Sequence, residues 1–188
     1  MDTVEEILAA VKSLPAEERE RLLASLAAEY GAELVSRPSQ LELGVTFEAP
    51  TPVKEADYIL IFDGGSRGNP GPGYGSYALI RRRDGAQRVI RLDFEEEMTN
   101  NEAEYRALIA GLDDLTARIR RAGRDPAEFS VEVRGDSALV INQVVGKWQA
   151  KDVRMRALRN QVRALLSRFA GYALHTQARE ESVRVLGH

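Results

Sequence analysis

Three acidic residues sit where side chains can meet, although long stretches of chain separate them. Asp63 closes an apolar run and is followed by Gly64-Gly65-Ser66-Arg67-Gly68-Asn69-Pro70-Gly71. Glu104 comes after Thr99-Asn100-Asn101-Glu102-Ala103, in the first turns of a helical pattern, and Asp136 ends a second alternating run in Arg134-Gly135-Asp136-Ser137. Acids at adjacent strand ends and a helix start can converge on one point. Carboxylates brought that close repel and take up protons unless a divalent cation relieves them. Their hard oxygens suit Mg2+ or Mn2+, whereas a chain with no cysteine and two histidines is poorly equipped for zinc. Taken singly, each acid also has a structural explanation. Asp before Gly forms turns, Asp136-Ser137 can cap a helix, and Glu104 can be a solvated helix-face acid. The combination points to chemistry.

The elements that would position these acids follow from periodicity. Tyr58-Ile59-Leu60-Ile61-Phe62 is an apolar, β-rich run, and Tyr77–Ile80 and Val89–Leu92 continue as strands around an Asp84-Gly85 hairpin turn. Residues 103–121 repeat apolar positions at helical spacing (Leu108, Ile109, Leu112, Leu115). Phe129–Val133 alternates as a strand, helical patterns follow at Leu139–Val145 and Val153–Phe169, and a last strand lies near Tyr172–His175. Three strands in a meander, a helix, a strand, helices and a final strand make an α/β fold, a mixed five-stranded sheet flanked by helices. The first three strands pair antiparallel, and the fourth, after a helical crossover, runs parallel to its neighbour.

Ahead of this domain, residues 1–30 read as a helical hairpin. Val4, Ile7, Leu8 and Val11 form one stripe and Leu22, Leu23 and Leu26 another, with a break at Ser13-Leu14-Pro15. The exposed stripe needs a cover: its own chain, a second copy or another protein. Residues 31–57, with Pro38, Pro50 and Pro52, read as a linker to a domain over 58–188. The acidic start lacks the build of a signal peptide, and no run reaches the roughly 18 apolar residues of a membrane span, so a cytoplasmic protein without a membrane partner is expected. The net charge of −3 divides unevenly, with 12 acids and 5 bases in residues 1–57 against 17 acids and 21 bases in 58–188. A locally basic surface of this kind permits nucleic-acid binding without proving it.

The motifs resemble those of the type 1 ribonuclease H family. Asp63 to Gly73 is similar to the opening motif, Thr99-Asn100-Asn101-Glu102-Ala103-Glu104-Tyr105 to the second, and Gly135-Asp136-Ser137 to the third. Gly146-Lys147-Trp148 before a long helix resembles the segment of compact members that lack an extra basic handle. The resemblance covers roughly residues 58–180 and implies the ribonuclease H-like fold. It also implies cleavage of the RNA strand of an RNA–DNA hybrid with two Mg2+ or Mn2+ ions per site, leaving 5′-phosphate and 3′-hydroxyl ends. Asp63, Glu104 and Asp136 would hold the ions, with Glu104 rather than Glu102 the ligand. Ser66, Asn69, Asn100 and Asn101 match positions that meet the hybrid's minor groove, where the 2′-hydroxyl distinguishes RNA from DNA. Thr99 and Trp148 would face the DNA strand, and Lys147 and Lys151 phosphates.

The pattern departs from the family at its end. A fourth acid normally follows a strand and a histidine-bearing loop. Alignment on Ser182 places Leu186 there, and alignment on His175 places Val185; neither binds metal. Three substitutes stand open: His188, a swung-in Glu180 or Glu181, or a site with three acids. His175 matches the family's mobile histidine or is a strand-end histidine with a local hydrogen bond. The chain also reads as stopping without the helix that often follows. The missing acid leaves room for a non-catalytic or weakly active hybrid-binding module.

Overall fold

The computed structural model describes residues 55–187, with Val11, Leu14, Pro15, Glu18 and Val53 as isolated positions before them. The chain divides into two compact units, Met1–Phe47 and Glu48–His188. Apart from those isolated positions and residues 55–57, the expected hairpin, its partner face and the linker lie outside the described residues, as does His188.

The described unit is a five-stranded sheet in the order β3-β2-β1-β4-β5, built from β1 (Tyr58–Ser66), β2 (Gly71–Arg81), β3 (Ala86–Met98), β4 (Ser130–Gly135) and β5 (Gly171–Thr176). Its described helices are α1 (Asn100–Arg121), α2 (Ala138–Val145), α3 (Val153–Leu166) and α4 (Arg179–Leu186). The β1–β2 and β2–β3 pairs are antiparallel and the β1–β4 and β4–β5 pairs parallel, the mixed topology that the element order requires. Asp57 begins the packing one residue ahead of β1, its carboxylate accepting from the backbone and hydroxyl of Ser130. Among the described residues no helix is long and apolar enough to cross a membrane.

The first five residues of β1 are apolar because helices cover both faces of the strand. On one face, Leu60 and Tyr77 receive α1 so closely that a Cβ at Gly111 would stand 2.8 Å from Leu60 Cδ1. The buried side of α1, including Leu108, Leu112 and Leu115, is the stripe that helical spacing predicts. On the other face, Ile61 and Ala78 bury Leu186 of α4, with Ile59, Ile80 and Val185 packed around them. β3, paired on one side only, is mostly exposed and carries charges along its length.

Two expectations are corrected. β1 does not stop at Asp63 but runs on to Ser66, because Gly64 and Gly65 keep their pairing with Gly75 and Tyr74. A C-terminal helix is present, and its apolar positions 185 and 186, which offer no metal ligand, are what anchor it to the sheet. Smaller differences lie at element ends: α1 starts at Asn100, where Thr99 caps it, and α3 ends at Leu166.

Candidate active site

Asp63 is buried within β1, one register step from the glycine that lets the strand approach α1. A Cβ at Gly64 would lie 2.5 Å from the Ala103 carbonyl, so only glycine permits this contact. The approach brings Asp63 beside Glu104, the next residue along α1. The start of α1 is set by a capping box: Glu102 N–H donates to the Thr99 hydroxyl, and the Glu102 carboxylate accepts from Thr99 N–H at 2.8 Å. Glu102 also pairs with Arg154 at 3.1 Å. Burial alone would raise its pKa, but the two Thr99 bonds and Arg154 hold it below the usual carboxylate range. It is thus engaged in capping, which leaves Glu104 as the acid facing the strand ends.

Asp136 directly follows β4. There a Cβ at Gly135 would stand 2.6 Å from the Phe62 ring, and β4 presses against β1. Ser137 caps α2 by accepting from Val140 N–H, and its hydroxyl donates to the Glu104 carboxylate at 2.5 Å. Burial pushes the Glu104 pKa up to about 7. The Ser137 bond opposes that rise, the negative charges of Asp136 and Asp63 add to it, and Arg179 opposes it. Glu104 therefore lies within the fields of both other acids.

They do not yet form a chelate. Among the described residues, no three acids or histidines stand close enough to grip one ion. Asp63 accepts from Gly64 N–H at 2.8 Å, Glu104 is bonded to Ser137, and Asp136 faces Arg179 at 3.3 Å. Like-charged carboxylates repel one another, and here each takes a separate partner. The donor set nevertheless fits a hard divalent ion: all-oxygen ligands, one of them a carboxyl whose pKa is raised by burial and by its acidic neighbours.

A second cluster lies at the start of α1. Asn100 Oδ1 accepts from Ser66 N–H at 2.8 Å and from the Ser66 hydroxyl at 2.9 Å, and Asn69 Oδ1 accepts from Asn100 N–H at 3.2 Å. The Ser66 hydroxyl also bonds to the Gly68 carbonyl. These bonds join the Gly-rich turn to α1, and Asn101 is half-buried in the same helical turn. Lys147 and Trp148 stand apart on an exposed loop between α2 and α3, where Trp148 N–H donates to the Asn142 carbonyl at 3.0 Å. His175 is exposed near the end of β5, opposite Arg134, at the sheet end that leads to Asp136.

A family profile described as Reverse transcriptase-like matches residues 61–185, which span all three acids. The chain belongs to the type 1 ribonuclease H family. Ribonuclease HI of Halobacterium salinarum is 39% identical over 113 residues, which cover 60% of this chain and 52% of that protein. The chain thus spans about half the length of this curated relative. The crystal structure of RNase H1 from the same archaeon superposes with a TM-score of 0.55 at 35% identity, covering 68% of this chain and 90% of that one. LC11-RNase H1 in complex with an RNA/DNA hybrid superposes at 0.57 with 27% identity, covering 68% of this chain and 90% of that one.

Against the ribonuclease H pattern, the fourth-acid position is apolar in space as well as in sequence. Leu186 is 2% exposed, sunk between β1 and β2, so no rotation of its neighbours puts a carboxylate there. Glu180 and Glu181 are exposed on the first turn of α4. Two site residues escaped sequence reasoning. Ser137 was visible as a possible helix cap, but its bond to Glu104 crosses 33 positions. Arg179 reaches Asp136 because Gln177 N–H donates to the Gly135 carbonyl at 2.9 Å, which starts the turn into α4 beside the end of β4. No local signal marks either contact.

Proposed function

We propose that this chain hydrolyses the RNA strand of RNA–DNA hybrids with divalent cations, Mg2+ or Mn2+, at the site formed by Asp63, Glu104 and Asp136. The observation that carries the reading is Glu104, a buried carboxyl bonded to Ser137, whose pKa is raised by burial and by both other acids, Asp63 within β1 and Asp136 just after β4. A structural neighbour bound to an RNA/DNA hybrid supports the substrate class. When bound, a pair of such ions supplies Lewis-acid polarisation of the scissile phosphate. The three carboxylates hold the positive charge in place, and Ser137 orients Glu104. Water adds to phosphorus and the bond to O3′ breaks, leaving a 3′-hydroxyl and a 5′-phosphate. Ser66, Asn69, Asn100 and Asn101 present backbone and amide groups to the minor groove, where a 2′-hydroxyl both donates and accepts. Thr99 and Trp148 lie toward the DNA strand, Lys147 meets phosphate, and His175 stands at the product side.

The test is cleavage of labelled hybrid, duplex RNA and duplex DNA with Mg2+, Mn2+ or chelator. Hybrid alone is cut, and only with metal. Asp63→Asn lowers the rate at least about a thousandfold, several kcal/mol of barrier, while the melting temperature holds. A retained rate in that variant would remove Asp63 from the site. The burial of Leu186 where an acid is expected favours a second reading, a hybrid-binding module without turnover. Tight hybrid binding with no product from either ion supports that alternative.

A further inference from the structure

Past the end of α1, among the described residues, the sheet face runs on without a helix over it. α1 stops at Arg121, and Gly123, left-handed at φ 72°, turns the chain toward β4. A cleft of about 510 Å³ opens there, between the helix end and the first residues of β1 and β3 with the last of β2. Leu79, Leu115 and Ile119, all buried, form its floor. Tyr58 and Phe129 form one wall, their rings meeting edge to face at 5.6 Å. The size is that of a small-molecule site. Tyr58 opens β1, and the cleft lies roughly 16 Å along that strand from Asp63.

The rim carries one sign of charge. Arg81, Arg88, Arg118, Arg121 and Arg124 line the cleft, and among the described residues no acid does. Three of the five are matched from outside it: Arg81 by Asp84, Arg118 by Asp114 and Arg124 by Glu128. Arg121 reaches Asp114 only at 3.7 Å, and that carboxylate already accepts from Arg118 at 2.9 Å and from the Tyr77 hydroxyl at 3.1 Å. Among the described residues, no carboxylate stands within ion-pair distance of Arg88. Five guanidinium groups thus share three carboxylates above an apolar floor. Such a cleft suits a ligand with an anionic end and an apolar body.

The positions of Arg88 and Arg121 narrow the class. Arg88 stands opposite Leu79, and Tyr58 opposite Arg81, so these side chains share the sheet face under α1. Arg88 and Tyr58 are two strands apart, about 10 Å. Arg121 comes from the helix end above them. Arg124 lies over the Phe129 ring at 5.0 Å and takes that surface, which leaves half-buried Tyr58 as the stacking wall. Guanidinium forks grip phosphate oxygens, and an aromatic ring takes a flat heterocycle. We propose that the cleft binds a nucleoside monophosphate, with its base against Tyr58 and its phosphate between Arg88 and Arg121. The site is separate from the three acids and does not depend on the hybrid-cleavage reading.

The experiment titrates the full chain with adenosine 5′-monophosphate by calorimetry, in chelator so that no metal draws the phosphate to the acids. One nucleotide binds per chain, and inorganic phosphate and adenosine each bind at least about tenfold more weakly. Arg88→Ala/Arg121→Ala, at two exposed positions, weakens the nucleotide at least about tenfold, Arg88→Lys/Arg121→Lys less, and Asp63→Asn not at all. If the alanine variant melts early, amide chemical shifts of the wild-type chain decide. Nucleotide-induced shifts at Tyr58, Arg88 and Arg121 support the site, and shifts confined to other residues overturn it. No binding up to about 10 mM nucleotide overturns the proposal. Phosphate that binds as tightly as the nucleotide, the mark of a bare anion site, does so too, as does adenosine that binds as tightly. Wild-type nucleotide affinity in a folded alanine variant puts the ligand elsewhere and also overturns it.

Discussion

At the scale of single residues, the site is a balance among neighbouring charges. Glu104 has its pKa raised from an ordinary 4.5 to about 7, with burial the largest cause. A carboxyl raised in the folded state favours folding while protonated, so its contribution is full below about 4.5 and is lost as pH rises through about 7. The metal-free protein is therefore expected to lose up to about 3 kcal/mol across that window relative to Glu104→Gln, seen as a falling denaturation midpoint. Mg2+ added at pH 8 restores part of the loss by binding the ionised form. A difference between the two proteins that does not change with pH would contradict this account. Arg179 supplies the other charge, resting on Asp136 at 3.3 Å in an exposed pair. Since a cation must compete with it, Arg179→Ala is expected to tighten Mg2+ binding in the absence of nucleic acid by about twofold to fivefold, the range of an exposed ion pair. Calorimetric titration checks it, and weaker binding in the variant would show that Arg179 supports the site instead.

At the scale of elements, α4 explains why the fourth acid has gone. The helix is held by Leu186 in the pocket between Ile61 and Ala78, with Val185 alongside. Truncation by Leu186→Ala should cost about 2 to 5 kcal/mol, as cavity-forming changes in a core do. Leu186→Asp should cost at least as much and fail to raise hybrid cleavage, because it puts an unpaired carboxylate where apolar groups meet. Denaturation and cleavage measured together decide the point; a stable and faster Leu186→Asp protein would mean that α4 can turn the position toward the metals. The same scale shows which elements could be read in advance. β1, α1, β4, α3 and β5 carry plain periodicity and were expected close to where they stand. α4 was not, since eight residues with two acids and two arginines give a weak apolar stripe, and only the sheet face beneath them makes it a helix worth burying.

At the scale of the whole molecule, charge is separated along the chain and again over the surface. The acidic share lies in residues 1–57, and the basic surplus of 58–188 lies in residues 147–168. Phosphate attraction depends on such local fields rather than on the net −3. Hybrid affinity is thus expected to fall about tenfold or more between 50 and 200 mM salt, measured by fluorescence anisotropy, and salt-independent affinity would argue against a phosphate-led encounter. The three acids and the mixed sheet were legible from residue types and spacing, and the set Ser66, Asn69, Asn100 and Asn101 from the family resemblance. An acid after an apolar strand, beside glycine or at a helix start, has few other places to go. What tertiary structure alone decided is who touches whom across long separations. Ser137 reaches Glu104, Arg179 reaches Asp136, Glu102 is diverted into a cap, and Leu186 belongs to the core. Periodicity encodes which side of an element turns inward, but a contact between distant side chains depends on how closely the layers approach. Here Gly64, Gly111 and Gly135 set that approach by what they lack.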